Sequence, residues 1–270
     1  MNHTDIYLVG SGWGFECARI GLQKCFQRII LLEGNYRHEE LYNLNGKVIV
    51  FAGYTPIVPN SVIHNNTCIN IHYSLLPKYR GLHSTVWAIL NDENYLGLSI
   101  HIMTESIDAG DIIYQYRVEN DRIRTSVDYM QHFNEHVALF LGQVMSDFLD
   151  GRISLIPNPK SLATWVGRRN HDDCKINLNS SISELRCFFR ALVPPYPLPF
   201  VTYKDKEYTI AKVDFHSQNV NTHIARILNI DEEGIWVKVA DGYLIIKEIR
   251  NELDLLCAYS NFIIGTYFNR

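Results

Sequence analysis

Residues 70–81 read Asn-Ile-His-Tyr-Ser-Leu-Leu-Pro-Lys-Tyr-Arg-Gly; residues 83–89 read His-Ser-Thr-Val-Trp-Ala-Ile, and residues 107–111 read Ile-Asp-Ala-Gly-Asp. Asn70 and His72 stand two apart, so on a strand their side chains share one face. Asp108 lies further along and returns to them only through the fold. An amide, an imidazole and a carboxylate brought together in this way can move an acyl group without a covalent intermediate. The imidazole donates to a developing oxyanion or shuttles a proton from it, the amide donates a second hydrogen bond, and the carboxylate holds the imidazole and tunes its pKa. The plainer role for Asp108 is as the cap of a turn beside Gly110.

Outward from this stretch the chain alternates between apolar runs and helical periodicity. The pattern predicts strands over Ile6–Gly10, Arg28–Leu32, Lys47–Phe51, Ile69–His72 and Gly97–Met103, the last followed by the loop that bears Asp108. A helix is expected over Gly14–Cys25, with Phe15, Ala18, Ile20 and Leu22 as its apolar positions. A longer helix is expected over Ser126–Asp150, where Phe133, Val137, Phe140 and Val144 recur at helical spacing. Trp87 stands at helical spacing from Leu90 and reads as packing. Strands alternating with helices indicate an α/β unit with a mostly parallel sheet. In such sheets ligands sit at the carboxyl ends of the strands, which is where His72 falls.

From Val201 the pattern changes to short strands at Tyr208–Val213, Thr222–Leu228, Gly234–Ala240 and Gly242–Ile249, with Asp241-Gly242 as a hairpin turn. The expected organisation is therefore an α/β domain over 1–158, a linker and helical segment over 159–200, and a β-rich subdomain over 201–270.

Composition narrows the setting. Net charge is −4, and residues 201–270 carry 8 Lys or Arg against 10 Asp or Glu, which argues against a nucleic-acid partner. No apolar run approaches the ~20 residues of a membrane span, and no basic, apolar leader opens the chain. The six cysteines (Cys17, Cys25, Cys68, Cys174, Cys187 and Cys257) are scattered, without a Cys-x-x-Cys pair. That spacing fits reduced thiols in a cytoplasm, with neither a disulfide framework nor a metal site.

The run from Asn70 to Gly81, with Asp-Ala-Gly-Asp at 108–111, resembles the signature of the folate-dependent formyltransferases, which use N10-formyltetrahydrofolate. That family includes glycinamide ribonucleotide formyltransferase, methionyl-tRNA formyltransferase and the sugar N-formyltransferases. The resemblance places the family's catalytic residues on Asn70, His72 and Asp108. It implies a Rossmann-like catalytic domain followed by a small OB-like barrel, and it extends loosely over 160–270. The region before Asn70 is shorter than the family's and lacks a βα unit. By the same resemblance the pterin-binding loop falls at Gly53–Val62, with Gly53, Tyr54, Thr55, Ile57 and Val58 as contacts, and Thr104 and Glu105 on the facing wall. Candidate acceptor contacts are Trp13, Lys78, Tyr79, Arg80 and His83. Lys78 and Arg80 suit phosphates, though Arg80 could equally pin its loop to a carboxylate.

A rival reading starts from Gly10-Ser-Gly-Trp-Gly14 with Glu33 ending the next strand, which resembles a dinucleotide fingerprint of a nicotinamide enzyme. Phe15 occupies the place of the third glycine, where close helix packing is needed, and breaks that pattern. Among formyltransferases the glycinamide ribonucleotide enzymes lack a C-terminal barrel, and a tRNA enzyme calls for a basic surface. The expectation is an N-formyltransferase acting on a nucleotide-linked amino sugar, such as a dTDP-4-amino-4,6-dideoxyhexose of the kind used in O-antigens. A homodimer is implied by the same resemblance. A methionyl-tRNA formyltransferase-like enzyme is the first alternative, and a non-catalytic folate-binding module the second.

Overall fold

The computed structural model describes residues 4–269, which divide into two compact units. One takes residues 4–88, 93–121 and 128–168, and the other residues 89–92, 122–127 and 169–269.

The first unit is built on a six-stranded sheet. In chain order its elements are β1 (Ile6–Gly10), α1 (Gly12–Gln23), β2 (Ile29–Glu33), β3 (Val48–Ala52), α2 (Asn60–Asn65), β4 (Thr67–His72), the short β5 (Arg80–Gly81), α3 (Ser84–Leu90), β6 (Tyr95–Ile102), β7 (Ile112–Glu119), α4 (Ser126–Leu149) and the short β8 (Trp165–Val166). The strand order is β2-β1-β3-β4-β6-β7. The pairs from β2 to β4 are parallel, whereas β4–β6 and β6–β7 are antiparallel. β3, Val-Ile-Val-Phe-Ala, is buried at every residue, as a parallel strand covered on both faces must be.

The ends of β1 and β3 run so close that side chains would not fit. A Cβ on Gly10 would lie 1.8 Å from the Ala52 carbonyl oxygen, and one on Gly53 2.4 Å from that of Ser11; both glycines have positive φ. The glycines after β1 therefore shape a tight turn, and Phe15, in the place of a third glycine, is fully buried.

Two helical expectations change register. α1 leaves Ile20 44% exposed and buries Cys17 and Gly21 beside Phe15, Ala18 and Leu22. On α4 the buried stripe runs Tyr129, Phe133, Val137, Leu141 and Val144, while Phe140 is 48% exposed and stacks on His136 with ring centroids 4.4 Å apart. The steps of four bring Leu141, rather than Phe140, under the helix. Trp87 is only half-buried, and its indole Nε1 donates to the Gly167 carbonyl. After β6 the chain returns as β7, where the sequence pattern predicts no strand.

The second unit contains α5 (Ile182–Ala191), β9 (Phe200–Tyr203), β10 (Lys206–His216), β11 (Ile227–Asp231), β12 (Gly234–Lys238) and β13 (Tyr243–Arg250). A capping box between Ser181 and Glu184 opens α5. The strands form an antiparallel sheet in the order β11-β12-β13-β10-β9, around a core that includes Leu185, Val201, Ile210, Ile235, Leu244 and Phe268. The Asp241-Gly242 turn joins β12 to β13, with Val239 N–H on the Gly242 carbonyl. The strand expected at Thr222–Leu228 instead begins at Ile227. A turn at Val220–Thr222 precedes it, and the left-handed Ala225 (φ 67°) breaks the regular strand, although Ala225 N–H and the Arg226 carbonyl still bond Lys238.

Candidate active site

Asn70 and His72 occupy the last positions of β4 and share a face, as their spacing requires. The antiparallel register of β6 sets His101 opposite Asn70 and Ser99 opposite His72. The chain then turns through residues 103–111, and Asp108 reaches back with φ 50°. A left-handed non-glycine residue costs roughly 1–3 kcal/mol and persists only where its surroundings hold it.

Four polar groups meet here. Asp108 Oδ1 accepts from Asn70 Nδ2 at 3.3 Å and lies 3.4 Å from His101 Nε2; its Oδ2 accepts from Gly81 N–H at 2.8 Å and lies 3.5 Å from His72 Nδ1. The side chains of His72, His101 and Asp108 are all nine-tenths or more buried, while Asn70 is half-exposed at the cleft. Several of these contacts are long, as catalytic contacts often are before substrate tightens them.

The hydrogen-bond partners fix the histidine tautomers. His72 Nε2 lies 2.8 Å from the Tyr79 carbonyl, which can only accept, so that nitrogen carries hydrogen. Nδ1, facing Asp108, is then the position where a proton comes and goes. His101 Nδ1 lies 2.8 Å from the Ile102 carbonyl and carries hydrogen likewise, and its Nε2 faces both Asn70 Nδ2 at 3.3 Å and Asp108 Oδ1 at 3.4 Å, donating to the carboxylate when it is protonated.

Electrostatics separates the two titrating groups. Burial pushes the His72 pKa below its ordinary value; Asp108 opposes that and His101 reinforces it. Burial would push Asp108 up, but the hydrogen bond and charge from His101, the charge of His72 and the Gly81 N–H together hold its pKa at about 2. Near neutral pH the site therefore holds a carboxylate beside a mainly neutral imidazole. That pair can take a proton from an attacking amine and return it to a leaving group, with Asn70 donating to the oxyanion between.

The other expected residues are placed unequally. Gly53 lies at the end of β3, and Val58 is buried while Ile57 is 72% exposed. Tyr54 packs on Phe51 with centroids 5.4 Å apart, and Thr55 N–H and Oγ1 both donate to Asn35 Oδ1. On the facing wall Thr104 Oγ1 donates to the Ser106 carbonyl, and Glu105 pairs with His64 of α2 at 2.8 Å, linking the two walls.

On the acceptor side, Trp13 is exposed on the first turn of α1, and His83 is half-exposed with φ 59°. Lys78 is half-exposed and paired with Glu93 at 2.9 Å, and the Tyr79 hydroxyl donates to the same carboxylate at 2.8 Å. A cavity of about 390 Å³ opens against this segment, lined in part by Tyr73, Lys78, Tyr79, Glu93, Tyr95 and Arg117. Arg80 is a correction: it is 3% exposed, and its Nη2 donates to the side chain and backbone oxygens of Asn158, at 2.7 and 3.0 Å. It pins its loop, to an amide and not to a carboxylate, and offers no open cation to a phosphate.

Sequence reasoning missed His101. Its signal is the only ring nitrogen in the apolar run Leu96–Ile102, and the pairing of that run with β4 makes it a partner of Asn70. Among the described residues no group of three or more His, Cys, Asp or Glu side chains is placed to hold a metal ion, and no helix is long and apolar enough to cross a membrane.

Known proteins share both halves of this chain. The formyl transferase family model matches residues 33–144, and the model for the formyl transferase C-terminal domain matches residues 169–266. A methionyl-tRNA formyltransferase of Caldicellulosiruptor saccharolyticus is 31% identical over 242 residues, which cover 87% of this chain and 76% of that protein. Two solved structures share the fold at low identity. The N-formyltransferase of Helicobacter canadensis, in complex with folinic acid and dTDP-3-aminofucose, superposes with a TM-score of 0.71 at 17% identity, covering 91% of this chain and 99% of that one. WlaRD, a sugar 3N-formyl transferase crystallised with dTDP and 5-N-formyl-THF, gives 0.70 at 19% identity, covering 94% and 100%.

Proposed function

The chain belongs to the formyl transferase family, and we propose that it moves a formyl group from N10-formyltetrahydrofolate to the primary amine of a nucleotide-linked amino sugar. The observation that carries the chemistry is the meeting of Asn70, His72 and Asp108 at the carboxyl end of β4, with an ionised carboxylate against a mainly neutral imidazole. The amine nitrogen attacks the formyl carbon, and the oxyanion that forms is stabilised by Asn70 Nδ2. The carbon–N10 bond breaks as the proton taken from the amine is returned, through His72, to the departing tetrahydrofolate nitrogen. The donor lies between Gly53–Val58 and Thr104–Glu105, whose two walls are joined by His64 and Glu105.

Three observations favour the sugar acceptor. The C-terminal 70 residues carry no basic excess, with 8 Lys or Arg against 10 Asp or Glu. The chain covers 99% and 100% of two sugar N-formyltransferase structures. Lys78 and Arg117 stand beside a cavity next to the catalytic strand, where a few charge-assisted hydrogen bonds suffice for two phosphates. A second reading, formylation of methionyl-tRNA, is favoured by the 31% identity to a tRNA enzyme.

Incubation with N10-formyltetrahydrofolate and either a panel of dTDP-linked amino sugars or charged initiator tRNA separates the two. The expected result is a mass gain of one formyl group on an amino sugar, inhibited by dTDP. Efficient formylation of the tRNA, untouched by dTDP, gives the second reading its place.

A further inference from the structure

Asp108 is held from outside its own loop. The segment after α4 crosses the site as a strap, and its hydrogen bonds go to the two loops that frame the trio. Ile156 exchanges N–H and carbonyl bonds with Ile112, and the Thr164 carbonyl and Oγ1 accept from the backbone N–H groups of Arg80 and Tyr79. Trp165 pairs with Arg80 as β8 on β5, and its ring lies 5.7 Å from the Arg80 guanidinium carbon.

At the centre of the strap is Asn158, 8% exposed. Its Nδ2 donates to the backbone carbonyls of Asp108 and Gly110, both at 2.9 Å, and its Oδ1 accepts from Arg80 Nη2 at 2.7 Å. Every polar atom of this side chain is used. Its two amide hydrogens meet the two carbonyls that flank Ala109, on the turn that carries Asp108 at φ 50°. Arg80 in turn fixes the carboxamide, so that the amide, and not the oxygen, faces the Asp108 loop. An apolar residue here would strand the Asp108 and Gly110 carbonyls and would leave Arg80 Nη2 only the backbone oxygen of residue 158.

We propose that Asn158, oriented by Arg80, is a positioning residue that sets the Asp108 carboxylate against His72 and Asn70. The inference rests on the formyl-transfer reading of the trio, and it names residues that reading leaves unassigned. Asn158 touches no reacting atom. It acts by holding, at its backbone carbonyl, the left-handed residue that carries the carboxylate. Misplacement of a catalytic group by about 1 Å costs on the order of 100-fold in rate, so a carboxylate held by its own loop alone loses most of its use.

The test uses Asn158→Ala, Asn158→Gln and Arg80→Lys, with Asp108→Asn as the reference. Two quantities are read: formyl-transfer kinetics, and the titration of the His72 ring by side-chain nitrogen NMR on the protein without substrates. Asp108, His101 and Arg80 are the charged or titratable groups around that ring. Of these charged groups Asp108 raises its pKa, as does the hydrogen bond to the Tyr79 carbonyl, which the variants leave in place.

Asn158→Ala should lower kcat by roughly 10- to 100-fold with little change in the donor's KM, and should move the His72 titration down, in the direction Asp108→Asn moves it. Asn158→Gln, which restores a carboxamide, should recover part of both. Arg80→Lys keeps the charge and loses the fork on Asn158; it should show the same changes more weakly, and it stands in should the alanine variant not fold. A purely structural role would lower the melting temperature and leave kcat and the His72 titration as in the wild type; that result overturns the proposal. Absence of formyl transfer by the wild type would reject the formyl-transfer reading instead, while the titration still decides whether Asn158 places Asp108.

Discussion

The two sides of the candidate site are held by different means. Asn70, His72 and His101 stand on β4 and β6, where ladder hydrogen bonds and a buried sheet fix their directions. Asp108 stands on a loop in a left-handed conformation, and what holds it is a buried amide, a buried guanidinium and the Gly81 N–H. A strand supplies direction through periodicity alone; a loop supplies it only through polar partners brought from elsewhere in the chain. The strand side should therefore fail only when a reacting group is removed. The loop side should fail when any of several remote groups is removed.

The largest effect is expected on the strand side. Asn70→Ala, which removes the oxyanion donor, and His72→Asn, which removes the proton carrier, should each lower kcat by on the order of 100- to 1,000-fold, with a fold unchanged by circular dichroism. A variant keeping more than about a tenth of the wild-type rate would remove that side's role. Asp108→Asn should come next, and it sharpens the comparison through pH. The carboxylate raises the His72 pKa against burial, so its loss lowers that pKa further. The acid limb of kcat/KM in the wild type should lie below the ordinary imidazole value of about 6.5, and in Asp108→Asn it should move lower still; an upward move contradicts the electrostatics.

Stability should follow the same groups. His72 has a folded pKa below its unfolded one, so its contribution is full above about pH 6.5 and is lost as pH falls. Asp108, at about 2 in the fold, adds stability above about pH 4 that is lost on further acidification. Melting temperatures of the wild type and Asp108→Asn should thus converge between those values.

The smallest effect is expected at Lys78, half-exposed and paired with Glu93. Lys78→Ala should change stability by less than about 1 kcal/mol and raise the acceptor's KM more than the donor's. Equal rises in both would place Lys78 outside the acceptor site.

The sequence made legible what periodicity encodes. The two-residue spacing of Asn70 and His72, the apolar strands and the change of pattern after Val201 all rest on local alternation. His101 was not legible, because its meaning lies in the antiparallel register of β6 on β4. Arg80 read equally as a phosphate contact or as a pin on a carboxylate, because nothing near it in sequence announces Asn158, which the strap brings back across the fold. Phe140 and Leu141 are adjacent and both apolar, and only the packing of α4 decides which goes under. The strand expected at Thr222 starts late for a reason in the backbone, the left-handed Ala225.

The central claim is direct transfer by a trio that forms no bond to the formyl group. It is tested most directly by a rapid-quench time course with donor labelled in the formyl carbon and an amino-sugar acceptor, following label on folate, sugar and protein together. The account requires label to pass from folate to the sugar amine, with tetrahydrofolate released in step, the protein unlabelled at every time, and the transfer all but absent in His72→Asn. Label accumulating on the protein before the sugar, or transfer at the wild-type rate in His72→Asn, would contradict it.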